Sequence, residues 1–268
     1  MKRLILASAL LLAASGSAWA DFNQALTAYR KGDFATAMEE WAVEAKYGDL
    51  AAQTNIGEMY LRGEGVERNR SVAIYWFRKA ADHGFAEAQY RLGRVYIGDD
   101  NEEAVRWFKE AARHGDVKSI NQLATMYEQG QGVAQNLGET FRLRQQAAGR
   151  GNMVAEAMLG QMYADGQGVA RNDVEAVKWF RKAANQGYFF AQSRLGAMYR
   201  DGRGVQQDLV EAHKWFTLSA QSAPADLSSF YAKRRKTVEQ QMSPSEVIDA
   251  LQLARDWRPT AAPAGPAN

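Results

Sequence analysis

The sequence predicts an all-α fold, a solenoid built from tandem helix–turn–helix repeats, on three observations. The chain copies itself: Leu159-Gly160-Gln161-Met162-Tyr163-Ala164-Asp165-Gly166-Gln167-Gly168-Val169 returns, altered at three positions, from Leu195 to Val205, with a looser copy from Ile56 to Val66. Gly160 to Gly196 is a step of about 36 residues, the size of a two-helix solenoid repeat. Within each copy, small and bulky apolar residues recur at helical spacing. Glycine pairs and Asn or Asp punctuate the copies where helices would stop and start.

The first segment, residues 1–20, reads as a signal peptide. Lys2 and Arg3 precede an apolar run over residues 4–14, and Ala18-Trp19-Ala20 offers a cleavage site before Asp21. The run falls short of the ~20 residues that span a bilayer, so no transmembrane segment is expected after cleavage. The whole chain has 33 basic and 31 acidic residues, a formal charge of +2. Loss of Lys2 and Arg3 leaves basic and acidic residues equal, with no electrostatic footprint for nucleic acid. Cysteine is absent, which excludes disulfides, thiol chemistry and a cysteine-linked lipid anchor. An exported chain without cysteine fits a bacterial periplasm or the medium.

Residues 21–49 read as an irregular helix pair, carried by the run from Ala25 to Phe34 and by residues 37–45. Five repeats follow over residues 50–220, with Gly57, Gly93, Ala124, Gly160 and Gly196 in the anchor slot. The second is about five residues short, having Tyr96-Ile97-Gly98-Asp99-Asp100-Asn101 in place of the Gly-x-Gly-Val loop. In a full repeat, Ala155, Met158, Leu159, Met162 and Tyr163 form one apolar face, and Gly166 and Gly168 stop the helix. Asn172 then caps the second helix, as do Asn69, Asn136 and Asp208 in the other full repeats. Ala176, Trp179, Phe180, Ala183 and Ala184 make the second apolar face. Trp76, Trp107, Trp179 and Trp215 occupy one slot, expected to be core. One unit cannot hide its apolar face alone, so stacking must stabilise the array.

The third repeat departs from this pattern. Thr140, Leu143 and Arg144 stand where Ala, Trp and Phe are expected, which predicts a loosely packed or partner-facing second helix. Residues 221–258 are expected to cap the array. They comprise a polar helix over about 227–241 and a second helix opened by Ser243-Pro244-Ser245-Glu246. Residues 259–268 read as a disordered tail of Pro, Ala and Gly.

The pattern Ala-x-x-x-Leu-Gly-x-Met-Tyr-x-x-Gly-x-Gly-Val, followed by Asn or Asp, Ala, Trp-Phe and Ala-Ala, resembles the Sel1-like repeat, a relative of the tetratricopeptide repeat. That resemblance implies a right-handed, tetratricopeptide-like superhelix used in protein–protein contact, and an exported bacterial member. By the same analogy, non-core positions of the first helices line a concave binding face. They are Glu58, Arg62, Tyr90 and Arg94, then Asn121, Gln161, Asp165 and Arg200, with Thr54 and Ser193 beside them.

No catalytic constellation accompanies them. His83 and His114 precede helix-ending glycines, where the helix dipole favours them, and His213 sits in a second helix beside Lys214. With three histidines, no cysteine and no His-x-x-x-His, no metal site is expected. Each glycine loop reads as a helix stop and none follows a strand or ends in Gly-Lys-Ser/Thr, so no nucleotide or other cofactor is expected. The basic run Lys233-Arg234-Arg235-Lys236 reads as a solvated helix face.

The expected function is therefore a non-enzymatic scaffold or adaptor, periplasmic or secreted, binding a protein or peptide. The alternative is a binder of peptidoglycan or polysaccharide in envelope maintenance or export. A second alternative comes from the resemblance, because cysteine-rich members bind or hydrolyse β-lactams. Their disulfide framework and any serine-nucleophile motif are missing from this sequence.

Overall fold

The computed structural model describes residues 24–260, so the expected signal peptide and residues 261–268 of the expected tail lie outside the described residues. The described elements are all helical. A first helix, α1, covers residues 24–30. It is followed by α2 (Phe34–Lys46), α3 (Leu50–Arg62), α4 (Arg70–Ala81), α5 (Ala86–Tyr96), α6 (Asn101–Arg113) and α7 (Val117–Gln129). Then come α8 (Leu137–Ala148), α9 (Met153–Asp165), α10 (Asp173–Asn185), α11 (Phe189–Asp201), α12 (Leu209–Ser222), α13 (Ala225–Glu239) and α14 (Pro244–Asp256). The chain divides inside α7, after Ser119, into two compact units.

Local chemistry sets the helix boundaries. Asn69, Asn136, Asn172 and Asp208 cap α4, α8, α10 and α12, each accepting the N–H three residues ahead at 2.9–3.1 Å. In the short repeat Asp100 does the same for α6, taking the Glu103 N–H at 3.0 Å. At the other end α9 stops on Gly166, whose φ of +72° is the left-handed conformation that side chains resist. Ser243 opens α14 with a full capping box, closed by Glu246.

In the first unit each helix packs on its sequence neighbours from α2 to α6. Its core runs from Trp41, Ile56 and Met59 to Phe77, Leu92 and Trp107. In the second unit α8 packs on α9, α9 on α10, α10 on α11 and α11 on α12. There Phe180, Leu195, Trp215 and Ala254 form one cluster, and Phe216 and Val238 another. Repeats are also joined through their loops. Gly204, at φ +67°, lies so close to the Asp173 carbonyl at the start of α10 that no side chain fits. Gly168 meets Leu137 in the same way, and Gly65 meets Phe34 in the first unit.

Three expectations need correction. The second helix of the third repeat is not loose: Thr140, Leu143 and Arg144 are all buried. The Thr140 hydroxyl donates to the Asn136 carbonyl at 3.0 Å, and Arg144 donates to Asn121 Oδ1 at 3.1 Å and Thr125 Oγ1 at 2.9 Å. Polar residues pack here because each donor reaches an acceptor on α7 or in its own turn.

The tryptophan slot is not uniformly core. In the second helices of the repeats, the fully buried aromatics are Phe77, Phe108, Phe180 and Phe216, the residues that follow the tryptophans. Trp107 and Trp215 are buried beside them, and their indole N–H groups reach Glu103 (2.9 Å) and Glu211 (2.8 Å) four residues earlier. Trp76 and Trp179 are only half-buried, with Lys79 and Lys182 over their rings.

The basic run in α13 is also more engaged than a solvated face. Arg234 donates to Ser193 Oγ at 3.0 Å and stacks on Phe230, while Arg235 pairs with Glu239. Both α13 and α14 pack on α12. Tyr231 and Val238 are buried on α13, Ala250 and Ala254 on α14, and Trp257 meets Trp215 edge-on at 6.3 Å.

Candidate functional site

Two first helices and one loop of the first unit build an open, charged groove. Glu58, Leu61 and Arg62 share one face of α3, at the i, i+3, i+4 spacing that makes helix neighbours. Arg91, Arg94 and Val95 present the matching face of α5, and Arg68 and Arg70 enter from the loop and first residue of α4. Together they line a groove of about 510 Å³.

Its charges are partly balanced. Glu58 takes Arg62 Nε at 2.6 Å through one oxygen and Arg91 Nη1 at 2.5 Å through the other. Arg91 also donates to Glu87 at 2.8 Å. Burial opposes the charge of Arg91, but the hydrogen bonds and fields of Glu87 and Glu58 outweigh it and hold the guanidinium above its ordinary pKa. Arg70 pairs with Asp99 and donates to the Val95 carbonyl at 2.6 Å. Arg94 lies over Tyr90, whose ring also faces Lys118.

A second pocket of about 230 Å³ adjoins the groove and shares Glu58, Arg62 and Arg91 with it. Leu26, Tyr29 and Trp41 supply its apolar side, and the Tyr29 hydroxyl donates to Glu64 at 2.5 Å. Burial and that contact with Glu64 push the phenol up from its ordinary pKa.

Of the residues expected to bind, the structure brings Glu58, Arg62 and Arg94 into this one groove, with Tyr90 stacked at its margin. Those of the second unit form three separate pairings. Asn121 accepts from Arg144, Gln161 donates to Asp165, and Arg200 grips Asp201 through two bonds of 2.7 and 2.9 Å. Thr54 and Ser193 are buried and serve structure: Thr54 returns its hydroxyl to the Leu50 carbonyl, and Ser193 accepts from Arg234.

Five successive segments, residues 50–85, 86–116, 117–152, 154–188 and 190–223, match the family model of the Sel1 repeat. The chain belongs to the Sel1 repeat family. Among solved structures, a Sel1 repeat protein from Oxalobacter formigenes is similar at 28% identity and a TM-score of 0.75, covering 87% of this chain and 98% of that one. A protective antigen present in uropathogenic Escherichia coli strains, described as displaying an SLR fold, matches at 25% identity and a TM-score of 0.54. That match covers 91% of this chain and 62% of the antigen. A search of curated proteins finds no match.

The Sel1 repeats also reveal what the sequence reading missed. Arg68, Arg70 and Arg91 line the groove, yet none was singled out as a binding residue. The signal lay in the differences between copies. Arg62 stands in the slot of Asp165 and Asp201, and Arg70 in the slot of Asp173. Comparing charge sign slot by slot would have placed a basic patch on the first Sel1 repeat. Among the described residues no cluster of three or more His, Cys, Asp or Glu side chains is placed to hold a metal. None of the described helices is long and apolar enough to cross a membrane.

Proposed function

We propose that the chain is a non-enzymatic interaction module that holds a protein or peptide partner on the first-helix faces of its Sel1 repeats. It works in the bacterial periplasm or outside the cell. The observation that carries the reading is the groove between α3 and α5: five arginines drawn from three successive elements converge on one open surface with a single lining carboxylate. The repeat does not need this arrangement for folding, since other copies put Asp at two of those slots. The amino-terminal pattern of residues 1–20 supports export.

The polysaccharide alternative asks for an open aromatic platform. Of the three half-buried indoles among the described residues, Trp76 and Trp179 each carry a lysine over the ring, at 5.0 and 4.1 Å, and Trp257 packs edge-on against Trp215. These observations favour a protein partner. Crosslinking in intact cells followed by identification of the trapped material tests the proposal. A discrete protein crosslinked through α3 or α5 is expected. Recovery of wall polysaccharide alone would overturn it. Covalent labelling by a fluorescent penicillin would overturn the non-enzymatic reading.

A further inference from the structure

Of the five arginines that line the groove, three are neutralised by a neighbouring carboxylate and two are not. Arg62, Arg70 and Arg91 each have a carboxylate partner. Arg68 makes no hydrogen bond or ion pair among the described residues, and Arg94 has only the face of Tyr90. Both side chains are exposed and both line the same groove.

The other repeats show that an idle arginine is not the rule at this loop position. In the slot of Arg68, Gln135 donates to the Glu128 carbonyl at 2.8 Å and Gln207 to the Arg200 carbonyl at 2.8 Å. Arg171, the one other arginine in that slot, pairs with Asp173 at 2.9 Å. In the first repeat the residue equivalent to Asp173 is Arg70, so the counterion that Arg171 uses is missing for Arg68. The exchange removes a local partner and leaves a planar, five-donor group facing the groove. Guanidinium forks match carboxylates in two-point geometry.

The adjoining pocket adds a second requirement. It offers an apolar wall of Leu26, Tyr29 and Trp41 beside the shared Arg62 and Arg91, whose partners Glu58 and Glu87 also line it. Trp41 is fully buried in that wall, and its indole N–H has no acceptor. An inorganic anion or an anionic sugar would use the arginines and leave this wall empty. A polypeptide segment carrying a carboxylate next to a bulky apolar side chain uses both.

We propose that the groove between α3 and α5 binds an acidic segment of a partner protein. Arg68 and Arg94 take its carboxylate, and the Leu26–Tyr29–Trp41 pocket takes an adjacent apolar side chain. This rests on the interaction-module reading above and names the chemistry of its partner.

The test uses the full mature chain and two fluorescent peptides that differ only in charge. One carries Asp and Glu pairs beside Leu and Phe, and the other carries Asn and Gln in their place. Fluorescence anisotropy at low salt is expected to show saturable binding of the acidic peptide alone, weakening as salt is added. The double variant Arg68→Glu, Arg94→Glu is expected to lose roughly tenfold or more in affinity, and Arg68→Gln alone to lose less. Circular-dichroism melting of both variants reports on folding, which exposed positions should leave unchanged. A third variant, Leu26→Ala, is expected to weaken binding of the peptide and not of inorganic phosphate.

Equal binding of the two peptides overturns the proposal, as does full affinity in the double variant. So does binding of phosphate or a sulfated polysaccharide with no peptide binding. If cells carrying the double variant still crosslink the protein trapped by the wild type, the groove assignment fails and the interaction module stands. If the wild type traps no protein and binds no peptide, both fail.

Discussion

Phe180 packs directly against Gly160. A methyl group placed on Gly160 would come within 2.7 Å of Phe180 Cδ1, so the ring occupies the space a side chain would need. The same relationship joins Gly57 to Phe77, Gly93 to Phe108 and, less tightly, Gly196 to Phe216. Each Phe is fully buried, and each pair locks the two helices of its own repeat. The third repeat breaks both halves at once, with Ala124 in the glycine slot and Arg144 in the phenylalanine slot. With no ring against α7, the alanine methyl is tolerated and the guanidinium reaches Asn121 and Thr125.

This pairing predicts strong non-additivity. Arg144→Phe alone should destabilise the protein by about 1–3 kcal/mol, because the ring meets the Ala124 methyl in a close-packed core. Ala124→Gly alone should cost about 1 kcal/mol of helix propensity. The double variant restores the arrangement of the other four repeats and should be more stable than Arg144→Phe alone. Urea unfolding of the four proteins measures the coupling. Additive effects would show that the two positions do not sense each other.

Much of the fold was legible in the sequence because it repeats. A single Asn at position 172 is weak evidence for a cap; Asn at 69 and 136 and Asp at 208 in the same slot make it strong, and all four side chains cap. The rank order of burial was not legible. Trp179 and Phe180 are adjacent and both aromatic, and only the course of the neighbouring helix decides which one is enclosed. The buried network of Arg144 was hidden for a related reason: an arginine reads as exposed unless its acceptors are known to lie one helix away. Half of the predicted surface assembled into one groove and half did not, because slot position gives the face of a helix and not the neighbour each side chain chooses.

The two aromatics of α10 should therefore respond differently to truncation. Phe180→Ala empties a fully buried site and should cost about 3–5 kcal/mol. Trp179→Ala removes a half-buried ring and its contact with Lys182, 4.1 Å from the ring centre, and should cost about 1–2 kcal/mol. Denaturant midpoints compare them directly. Equal losses would mean that the indole is as enclosed as the phenyl ring.

A buried glutamine recurs on the first helices. Gln53, Gln89 and Gln192 donate to the carbonyls of Ala45, Ala81 and Ala184 at 3.1, 3.1 and 3.3 Å. In the fourth repeat that slot holds Glu156, almost fully buried and accepting from Gln186 at 2.7 Å. Burial pushes its carboxyl above the ordinary value of 4.5, against the pull of Lys182 and Gln186. The folded state thus holds the proton more tightly than the unfolded chain. Stability falls as pH rises past 4.5 and the group ionises. Glu156→Gln removes that cost and can supply the donor the other repeats use. It should stabilise the protein by about 1 kcal/mol at pH 7, and its advantage should shrink below pH 4.5. Thermal unfolding across pH 4–8 checks both, and a destabilised variant at pH 7 would refute the slot argument.

Asp173 has the opposite sign. Arg203 and then Arg171 hydrogen-bond its carboxylate, at 2.8 and 2.9 Å, and hold its pKa down to about 2 from 3.8. The unfolded chain therefore binds the proton more readily. The contribution is complete above pH 3.8 and is lost as pH falls through that value towards 2. Arg203 belongs to the loop after α11 and Asp173 to the first turn of α10, so the contact ties successive repeats beside the close approach of Gly204. The arginines are exposed enough for solvent to screen them, which limits the effect of Asp173→Asn to on the order of 1 kcal/mol at pH 7. Melting curves of wild type and variant should be separated at pH 7 and converge near pH 2. A separation independent of pH would mean that Asp173 acts through packing and not through its charge.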